Sequence, residues 1–371
     1  MNRFVSILTA AMVLAIGVAI CSAQQSSGPY KVLKTARVGG EGNWDYIYAD
    51  VTGRRLYIPR RGNAAPAAGG APAANPVPTR VTVFDLETLA PVGEVPGVGG
   101  NGAVVDPKSG HGFTSSKPAS MFDTKTLQLI KTIDVGNVQP DGILFDPSDE
   151  RVYIFSHPTK DATVIDGKDG AVLGRIDLGG VPEEGVADGK GTLYVVMQDP
   201  QGSVTVVDEK TMKATAHYPL GNQGNCNGLA LDAKNKILFA ACRADYPPSD
   251  PPKTNMVVLS AKDGKILTTL PLAGASDGAM FSPATMEVFS TQGNGTLSVV
   301  KEKSPTSFEV EQTLQTMNGA RTIALDTKTG HIFTMSDERG PAPPPTEGAR
   351  GGRGGRAPAI PGSFTILMLG K

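Results

Sequence analysis

Seven polar residues occupy the same position in a recurring sequence frame, and they carry most of the side-chain chemistry that this sequence offers. Each heads a short apolar run, and in six runs an aromatic residue or its equivalent follows twelve positions later. In chain order they are Asp45, Asn101, Asp141, Glu184, Asn227, Asp277 and Arg321. Carboxylates held close together raise one another's pKa or recruit a cation. If the fold gathers the heads of these runs, they form a candidate ligand site.

Oxygen donors of this kind suit Ca²⁺, which takes several carboxylate and amide oxygens at about 2.3–2.6 Å. The ligands would come from Asp45, Asp141, Glu184, Asn227 and Asp277. Arg321 offers a second outcome, because its guanidinium could neutralise Asp277 or Asp45 instead. A third outcome is that a water-filled opening simply tolerates polar residues. The sequence leaves the three open, so Ca²⁺ is one candidate cofactor among them.

Other chemistry is sparse. Trp44, the only tryptophan, adjoins Asp45 and could stack on a sugar or a base, although packing in the core is favoured. The histidines lie in four different repeats with no spacing that suits zinc: His111, His157, His217 and His331. No Cys–His pairing typical of a catalytic nucleophile and its base is visible in the sequence. It predicts no catalytic residue and leans away from an enzyme.

The frame that must position the seven residues is a repeat of strands. Its units recur every 40 to 56 residues, and each holds two hairpins with Asp-type turns. This period and content predict an all-β, seven-bladed propeller of four-stranded antiparallel blades. The seventh unit ends after its third strand, at residues 363–369, whereas residues 30–40 resemble the fourth strand at 129–136. The N-terminal strand should therefore complete the last blade and remove two open sheet edges.

The repeats resemble those of the YVTN-type, YncE-like exported propellers. Arg151-Val152-Tyr153-Ile154 with Ala162-Thr163-Val164-Ile165-Asp166 carries the resemblance, over essentially residues 30–371. It implies the fold, and binding of single-stranded nucleic acid is one activity linked to a relative. Asn227-Gly228-Leu229-Ala230-Leu231 and Asp277-Gly278-Ala279 also resemble strand starts of the six-bladed, calcium-dependent gluconolactonase-type propellers. That likeness implies a metal that polarises a lactone carbonyl and activates water.

Three insertions interrupt the repeats, at residues 61–79, 244–254 and 339–362. All fall between second and third strands, so they should share one face with the connections between blades. Long loops are usually functional or disordered. The third insertion holds three arginines among glycines at 350–356, which could contact phosphate, although a solvated linker is favoured. The expected function is a scaffold that binds a small ligand or a protein partner at this face.

Residues 1–23 are typical of a secretory signal peptide, which leaves residues 24–371 as one propeller domain. An uncleaved membrane anchor is the lesser alternative, and no second long apolar run follows. We therefore expect a periplasmic or secreted protein without a membrane span after cleavage. A net charge of −1 gives no electrostatic argument for nucleic acid as the main partner. Cys226 and Cys242 should lie opposite each other across a hairpin and form a disulfide in an oxidising compartment.

Overall fold

The computed structural model describes residues 28–62, 77–136, 138–341 and 357–371. The predicted signal peptide, the arginine-glycine run at 350–356 and most of the insertion at 61–79 lie outside them. The described residues form seven antiparallel sheets of four strands each, which confirms the predicted all-β propeller. Among these residues, no helix has the length and apolar character needed to cross a membrane.

The strands follow the repeat, and their bounds are given blade by blade. Blade 1 contains β2 (Tyr48–Asp50), β3 (Arg55–Arg60), β4 (Arg80–Asp85) and β5 (Pro91–Pro96). Blade 2 contains β6 (Ala103–Asp106), β7 (His111–Thr114), β8 (Ala119–Asp123) and β9 (Gln128–Ile133). Blade 3 contains β10 (Pro140–Asp146), β11 (Arg151–Ser156), β12 (Asp161–Asp166) and β13 (Val172–Asp177). Blade 4 contains β14 (Pro182–Ala187), β15 (Thr192–Met197), β16 (Ser203–Asp208) and β17 (Lys213–Pro219).

The remaining blades keep the same order, except the last. Blade 5 contains β18 (Gln223–Asp232), β19 (Ile237–Asp245), β20 (Asn255–Ser260) and β21 (Ile266–Pro271). Blade 6 contains β22 (Ser276–Ser282), β23 (Glu287–Gln292), β24 (Thr296–Ser304) and β25 (Ser307–Gln315). Blade 7 contains β26 (Ala324–Leu325), β27 (Ile332–Ser336), β28 (Thr365–Gly370) and the N-terminal β1 (Lys31–Arg37).

Local sequence explains the turns between third and fourth strands. In three blades an aspartate ends the third strand and its Oδ1 accepts hydrogen bonds from the backbone N–H and hydroxyl of a threonine three residues later. The pairs are Asp85 with Thr88, Asp123 with Thr126, and Asp208 with Thr211. Such side-chain bonds fix the turn together with backbone bonds such as that from the Leu89 N–H to the Asp85 carbonyl, as expected for the Asp-type turns of the repeat.

The core lies between neighbouring blades. The aromatic residue of each second strand is buried there, at Tyr57, Phe113, Tyr153, Tyr194, Phe239, Phe289 and Phe333. One cluster, for example, joins Leu56 and Ile58 of blade 1 to Phe333 and Ile366 of blade 7. Because each sheet buries both faces against its neighbours, the blades depend on one another and fix a rigid ring.

The N-terminal strand completes the ring as predicted. β1 pairs antiparallel with β28, from Lys31 opposite Gly370 to Arg37 opposite Thr365. Tyr30, just before β1, is buried and packs edge-on against Phe289 of blade 6, with ring centroids 5.2 Å apart. The closure therefore ties the first and last described segments of the chain to blades 6 and 7.

Cys226 and Cys242 are bonded, which confirms the predicted disulfide. They are directly paired across β18 and β19 and are fully buried. The described ends of the insertions lie between the second and third strands of blades 1, 5 and 7, at the end of the propeller where successive blades connect. We call this end the decorated face. Its 244–254 loop is held by Asp245 Oδ1, which accepts the N–H groups of Ser249 and Lys253, each at 3.0 Å.

Candidate functional site

The seven first strands surround the propeller axis and contact one another in turn, from β2 through β22 to β26 and back to β2. The predicted polar residues stand at the decorated end of these strands. Asp141, Glu184, Asn227 and Asp277 lie within them, whereas Asp45, Asn101 and Arg321 come two or three residues before the strand. The fold therefore gathers these positions, except that of blade 4, around one opening, which we call the mouth.

Blade 4 departs from the predicted alignment by one residue. Gly185 pairs with Val195 in β15, just as Ile143 pairs with Ile154 in blade 3, so Glu183 takes the place that Asp141 has. Both first strands have a register shift just before this point. Glu183, rather than Glu184, thus belongs to the mouth, because the shorter hairpin of blade 4 moves the frame.

On one side of the mouth, arginines separate the carboxylates. Arg321 Nε lies 2.6 Å from Asp277 Oδ2, and its Nη2 lies 3.4 Å from Asp45 Oδ1. Arg243 contacts the other oxygen of Asp277, and Arg61 Nη2 lies 3.8 Å from Asp45 Oδ2. The predicted neutralisation of Asp277 and Asp45 by Arg321 is therefore present, and two further arginines join it.

On the other side, carboxamides and an imidazole link the carboxylates. Asn101 accepts from Arg61 and donates to Asp141 Oδ1. His157 Nε2 lies 2.9 Å from Asp141 Oδ2 and 2.7 Å from Glu183 Oε2. Asn227 then donates to Glu183 Oε1. One chain of polar contacts thus runs from Asp277 through blades 7, 1, 2, 3 and 4 to Asn227 of blade 5.

Several residues of this network were not identified from the sequence, although all of them share one position in the repeat. They stand four residues after the aromatic of the second strand, where that strand reaches the decorated face. The members that contact the network or its rim are Arg61, His157, Gln198, Arg243 and Asp337. The first-strand frame alone could not reveal them, because second strands approach the mouth only once the blades are arranged radially.

The electrostatics of the mouth follow from burial and pairing. Burial, and then the charge of Asp141, raise the pKa of Asp45 to about 6 against the opposing effect of Arg321. Burial likewise raises the pKa of Glu183 to about 7. Burial acts to raise the pKa of Asp141, but the hydrogen bond and charge of His157 outweigh it and leave that pKa lowered. The hydrogen bonds to Asp141 and Glu183 raise the pKa of His157 to about 10, so its imidazole is charged at neutral pH.

Below the mouth, Glu184 and Tyr46 enter the channel. They line a cavity of about 130 Å³ together with apolar residues such as Ile143 and Met280. Glu184 Oε2 accepts the N–H groups of Leu229 at 2.8 Å and Ala279 at 3.2 Å, so it bridges blades 4, 5 and 6 across the axis. Burial raises its pKa to about 8 against those two bonds. Glu184 is therefore a part of the channel wall rather than of the polar network above it.

Glycines allow neighbouring first strands to approach each other closely. Gly142 follows Asp141, and a Cβ there would lie 2.5 Å from the Glu183 carbonyl oxygen. Gly228 follows Asn227, and a Cβ there would lie 2.7 Å from the Gly278 carbonyl carbon. Neighbouring first strands thus meet backbone to backbone just below the mouth, which draws the residues above them together.

Trp44 belongs to the core, as the favoured interpretation held, and its alternative use as a stacking platform is wrong. Only 4% of its surface is exposed, and its ring packs 6.1 Å from that of Phe364. Its Nε1 donates to Asp337 Oδ2 at 3.2 Å, and the Arg321 guanidinium lies 5.1 Å from its ring. With its ring covered in this way, Trp44 supports Arg321 and has no face open to a ligand.

Two sets of residues offer metal-ligating atoms, and only the second is gathered at one point. Of the five oxygen donors expected for Ca²⁺, Asp45 and Asp277 contact arginines, Asp141 contacts His157, and Glu184 lies in the channel. The second set is Asp141, His157 and Glu183, whose ligand atoms lie within 4.8 Å of one another. No histidine was expected in such a cluster, because His157 and its partners come from different strands and have no metal-site spacing in the sequence.

Cavities surround the mouth on the decorated face. One of about 250 Å³ lies between blades 7 and 1, where Arg60 and Arg61 face Ile360 and Phe364. Another of about 360 Å³ includes Arg61 and Asn101 of the mouth. A third of about 550 Å³ lies between blades 6 and 7 beside Asp337. A cavity of about 390 Å³ between blades 4 and 5, lined by Asp188 and Lys236, is remote from these residues.

These features define a seven-bladed β-propeller with a charge-paired polar mouth. No family model matches the sequence, and no curated protein matches it. Among solved structures, the fold is similar to Kuenenia stuttgartiensis hydrazine synthase, with a TM-score of 0.62, 16% identity, and coverage of 78% of this chain and 91% of that one. It is also similar to a chain in the crystal structure of the mitotic checkpoint complex, with a TM-score of 0.65, 10% identity, and coverage of 90% and 95%. Identities this low indicate a shared fold and leave function to the site.

Proposed function

We propose that this propeller is an exported binding scaffold that takes a small polar ligand or a protein partner at the decorated face. The observation that carries the proposal is the pairing of the mouth residues with one another across blades 1 to 7. Ordered, paired polar groups set in a concave surface are typical of recognition sites. Because the rigid blades hold each of them, a ligand would meet the site in its binding geometry.

The surroundings of the mouth support the same function. Cavities of about 250, 360 and 550 Å³ adjoin it, and Tyr246 of the 244–254 loop is an exposed aromatic on this face. Tyrosine at a rim supplies contact area at low entropic cost. The disulfide is consistent with an oxidising compartment and so supports the periplasmic or secreted location that we propose. We also propose that the protein belongs to the YncE-like family.

Photo-crosslinking in the organism that produces the protein tests the proposal. The photoreactive residue p-benzoylphenylalanine replaces Tyr246 on the decorated face or, as the matched control, exposed Lys168 in the turn between β12 and β13 at the opposite end. We expect one discrete protein adduct from position 246 alone if the partner is a protein. If the ligand is small, native mass spectrometry of the purified protein should show a bound mass that Arg61→Ala loses.

Two results together would contradict the proposed binding at the decorated face. Adducts that form alike from positions 246 and 168, with no bound mass on the wild-type protein, would exclude recognition at the decorated face. Each substituted protein must first show the thermal transition of the wild type, so that loss of an adduct reports on the surface and not on folding.

The calcium-dependent lactonase alternative keeps one supporting feature, which is the carboxylate-rich mouth. The pairing of Asp45 and Asp277 with arginines argues against a shared Ca²⁺ site, because those charges are already neutralised. Calcium-dependent turnover of a panel of lactones would favour this alternative. Salt-sensitive binding of single-stranded DNA, abolished by deletion of residues 340–361, would favour nucleic-acid binding instead.

A further inference from the structure

His157 stands between two carboxylates of neighbouring blades, and each carboxylate turns one oxygen towards it. Nε2 lies 2.9 Å from Asp141 Oδ2 and 2.7 Å from Glu183 Oε2. The three ligand atoms come from the first strand of blade 3, the end of its second strand, and the first strand of blade 4. Their mutual positions are thus set by the packing of two blades rather than by one flexible loop.

The remaining carboxylate oxygens are held by carboxamides. Asp141 Oδ1 accepts from Asn101 Nδ2, which also donates to the Pro140 carbonyl at 3.2 Å. Glu183 Oε1 accepts from Asn227 Nδ2 and, at 3.2 Å, from Gln198 Nε2. These bonds orient both carboxylates so that Oδ2 and Oε2 point at the imidazole. Outer-shell partners of this kind fix ligand geometry at metal centres.

The spacing is close to that of a zinc centre. Tetrahedral Zn²⁺ with ligands at about 2.0–2.2 Å holds its ligand atoms roughly 3.3–3.6 Å apart. The observed separations of 2.9 and 2.7 Å are those of hydrogen bonds to a shared proton. Replacing that proton by a metal needs outward shifts of only about 0.5 Å per ligand atom.

Asn227 supplies an independent indication of a missing ligand. Its side chain is 1% exposed, and its Nδ2 contacts Glu183, yet its Oδ1 has no hydrogen-bond partner. A buried carbonyl oxygen without a partner costs roughly 1–3 kcal/mol. A cation beside Glu183 that carries a water molecule would give this oxygen a hydrogen-bond donor.

Charge and access agree with a divalent ion. Two carboxylates with a neutral imidazole carry two negative charges, which a divalent cation balances and a single proton on His157 does not. Asp141 and Glu183 are largely buried, so full neutralisation is favoured there. The His157 side chain is 32% exposed, which leaves an open path from the solvent. An imidazole nitrogen among carboxylates suits Zn²⁺ better than Ca²⁺.

We infer that Asp141, His157 and Glu183 form a zinc-type divalent metal site at the mouth, with three protein ligands, a fourth position open to solvent, and Asn227 as an outer-shell partner of Glu183. The site shares only Asp141 as a ligand with the five-oxygen Ca²⁺ set expected from the sequence. It goes beyond the proposed scaffold function, because a metal there would give the decorated face a coordination position for a ligand atom.

Titration of the untagged, chelator-treated full protein with Co²⁺ tests the site, since visible d–d absorption reports on coordination directly. We expect one saturable Co²⁺ per chain, displaced by Zn²⁺ and unaffected by excess Ca²⁺. His157→Gln and Asp141→Asn should lower the affinity by more than the roughly 10–100-fold that loss of an outer-shell partner causes. Asn227→Ala should lower it by about tenfold or more.

His111→Gln is the matched control, because His111 lies at the opposite end of blade 2 and should leave the titration unchanged. Circular dichroism melting curves establish that each variant is folded. If His157→Gln does not fold, the nearly isosteric Asp141→Asn takes its place as the test of the site. Absence of saturable Co²⁺ binding by the wild type, full binding by His157→Gln, or release of Co²⁺ by Ca²⁺ would each overturn the assignment.

Discussion

At the scale of single residues, two adjacent glutamates have opposite roles. Glu183 faces the mouth, where His157, Gln198 and Asn227 contact it. Glu184 faces the channel, where its Oε2 accepts two backbone N–H groups from blades 5 and 6. The alternation of side chains along a strand produces this division. Their neighbours therefore decide which carboxylate can meet a ligand and which one supports the ring.

We predict that Glu184 makes the stability of the protein fall as pH rises. Burial raises its pKa from 4.5 to about 8, so the folded protein binds the proton more tightly than the unfolded chain does. The stabilisation is complete below pH 4.5 and is lost as pH rises through about 8. Glu184→Gln cannot ionise, so urea unfolding from pH 4 to 9 should show a smaller decline than the wild type shows.

Glu184→Ala is the companion variant. It leaves the N–H groups of Leu229 and Ala279 without their acceptor, so we expect a loss of about 1–3 kcal/mol in the free energy of unfolding at pH 6. Glu184→Gln should lose less, because its amide oxygen can accept both bonds. If the two variants and the wild type have parallel pH profiles, the role assigned to Glu184 is wrong.

At the scale of elements, the longest first strand is the one that carries the disulfide. β18 has ten residues and β19 has nine, and Cys226 is paired with Cys242 between them. This hairpin extends towards the decorated face and presents both Asn227 and Arg243 to the mouth. The disulfide thus lies directly beside two residues of the network.

We predict that the double variant Cys226→Ala/Cys242→Ala is less stable by roughly 3 kcal/mol, the value expected for a closed loop of about 15 residues in the chain-entropy model. The observed sequence separation is 16. Urea unfolding of the variant and the oxidised wild type measures the difference. Reaction of the unreduced, denatured wild type with a thiol reagent is the control, and two titratable thiols would contradict the bond.

At the scale of the whole molecule, the ring is held closed where its two chain ends meet blade 6. The Tyr30 hydroxyl donates to Glu287 Oε2, and Lys371 Nζ lies 3.0 Å from Glu287 Oε1. Gln312 Oε1 accepts the Tyr30 N–H at 2.9 Å. One buried carboxylate of β23 therefore joins the first and last described segments of the chain, and it does so beside the β1–β28 pairing.

We predict that Tyr30→Ala destabilises the entire ring, because it removes a buried aromatic and the hydroxyl that satisfies Glu287. The expected loss is about 3–5 kcal/mol in the free energy of unfolding, as for other large aromatic truncations. Val32→Ala, two residues further along the chain in β1 but 39% exposed, should change it by less than about 0.5 kcal/mol. Thermal unfolding followed by calorimetry measures both.

The number of thermal transitions shows whether the role assigned to Tyr30 is wrong. If Tyr30 only tethers a peripheral strand, its variant should lose one small early transition and keep the main transition of the wild type. If it closes the ring, the main transition itself should shift to lower temperature, because opened edges leave blades 6 and 7 without a partner.

The sequence by itself determined the fold. Repeated aromatic residues, Asp turns and alternating apolar runs indicated seven four-stranded blades, and residues 30–40 supplied the missing strand. It also determined the pairing of Cys226 with Cys242, since the register of one hairpin places these two cysteines opposite each other. These features depend on local periodicity and on neighbouring strands, which a linear pattern records directly.

Only the tertiary structure decided which groups meet at the mouth. The shorter hairpin of blade 4 puts Glu183 rather than Glu184 at the mouth, and the sequence pattern alone did not show which of these two adjacent glutamates takes that place. His157 and Arg243 reach their carboxylates from second strands, 26 and 34 residues away from Glu183 and Asp277. Contacts of this kind arise from the radial packing of separate blades, so their distances and charges are a property of the closed ring and not of any single repeat.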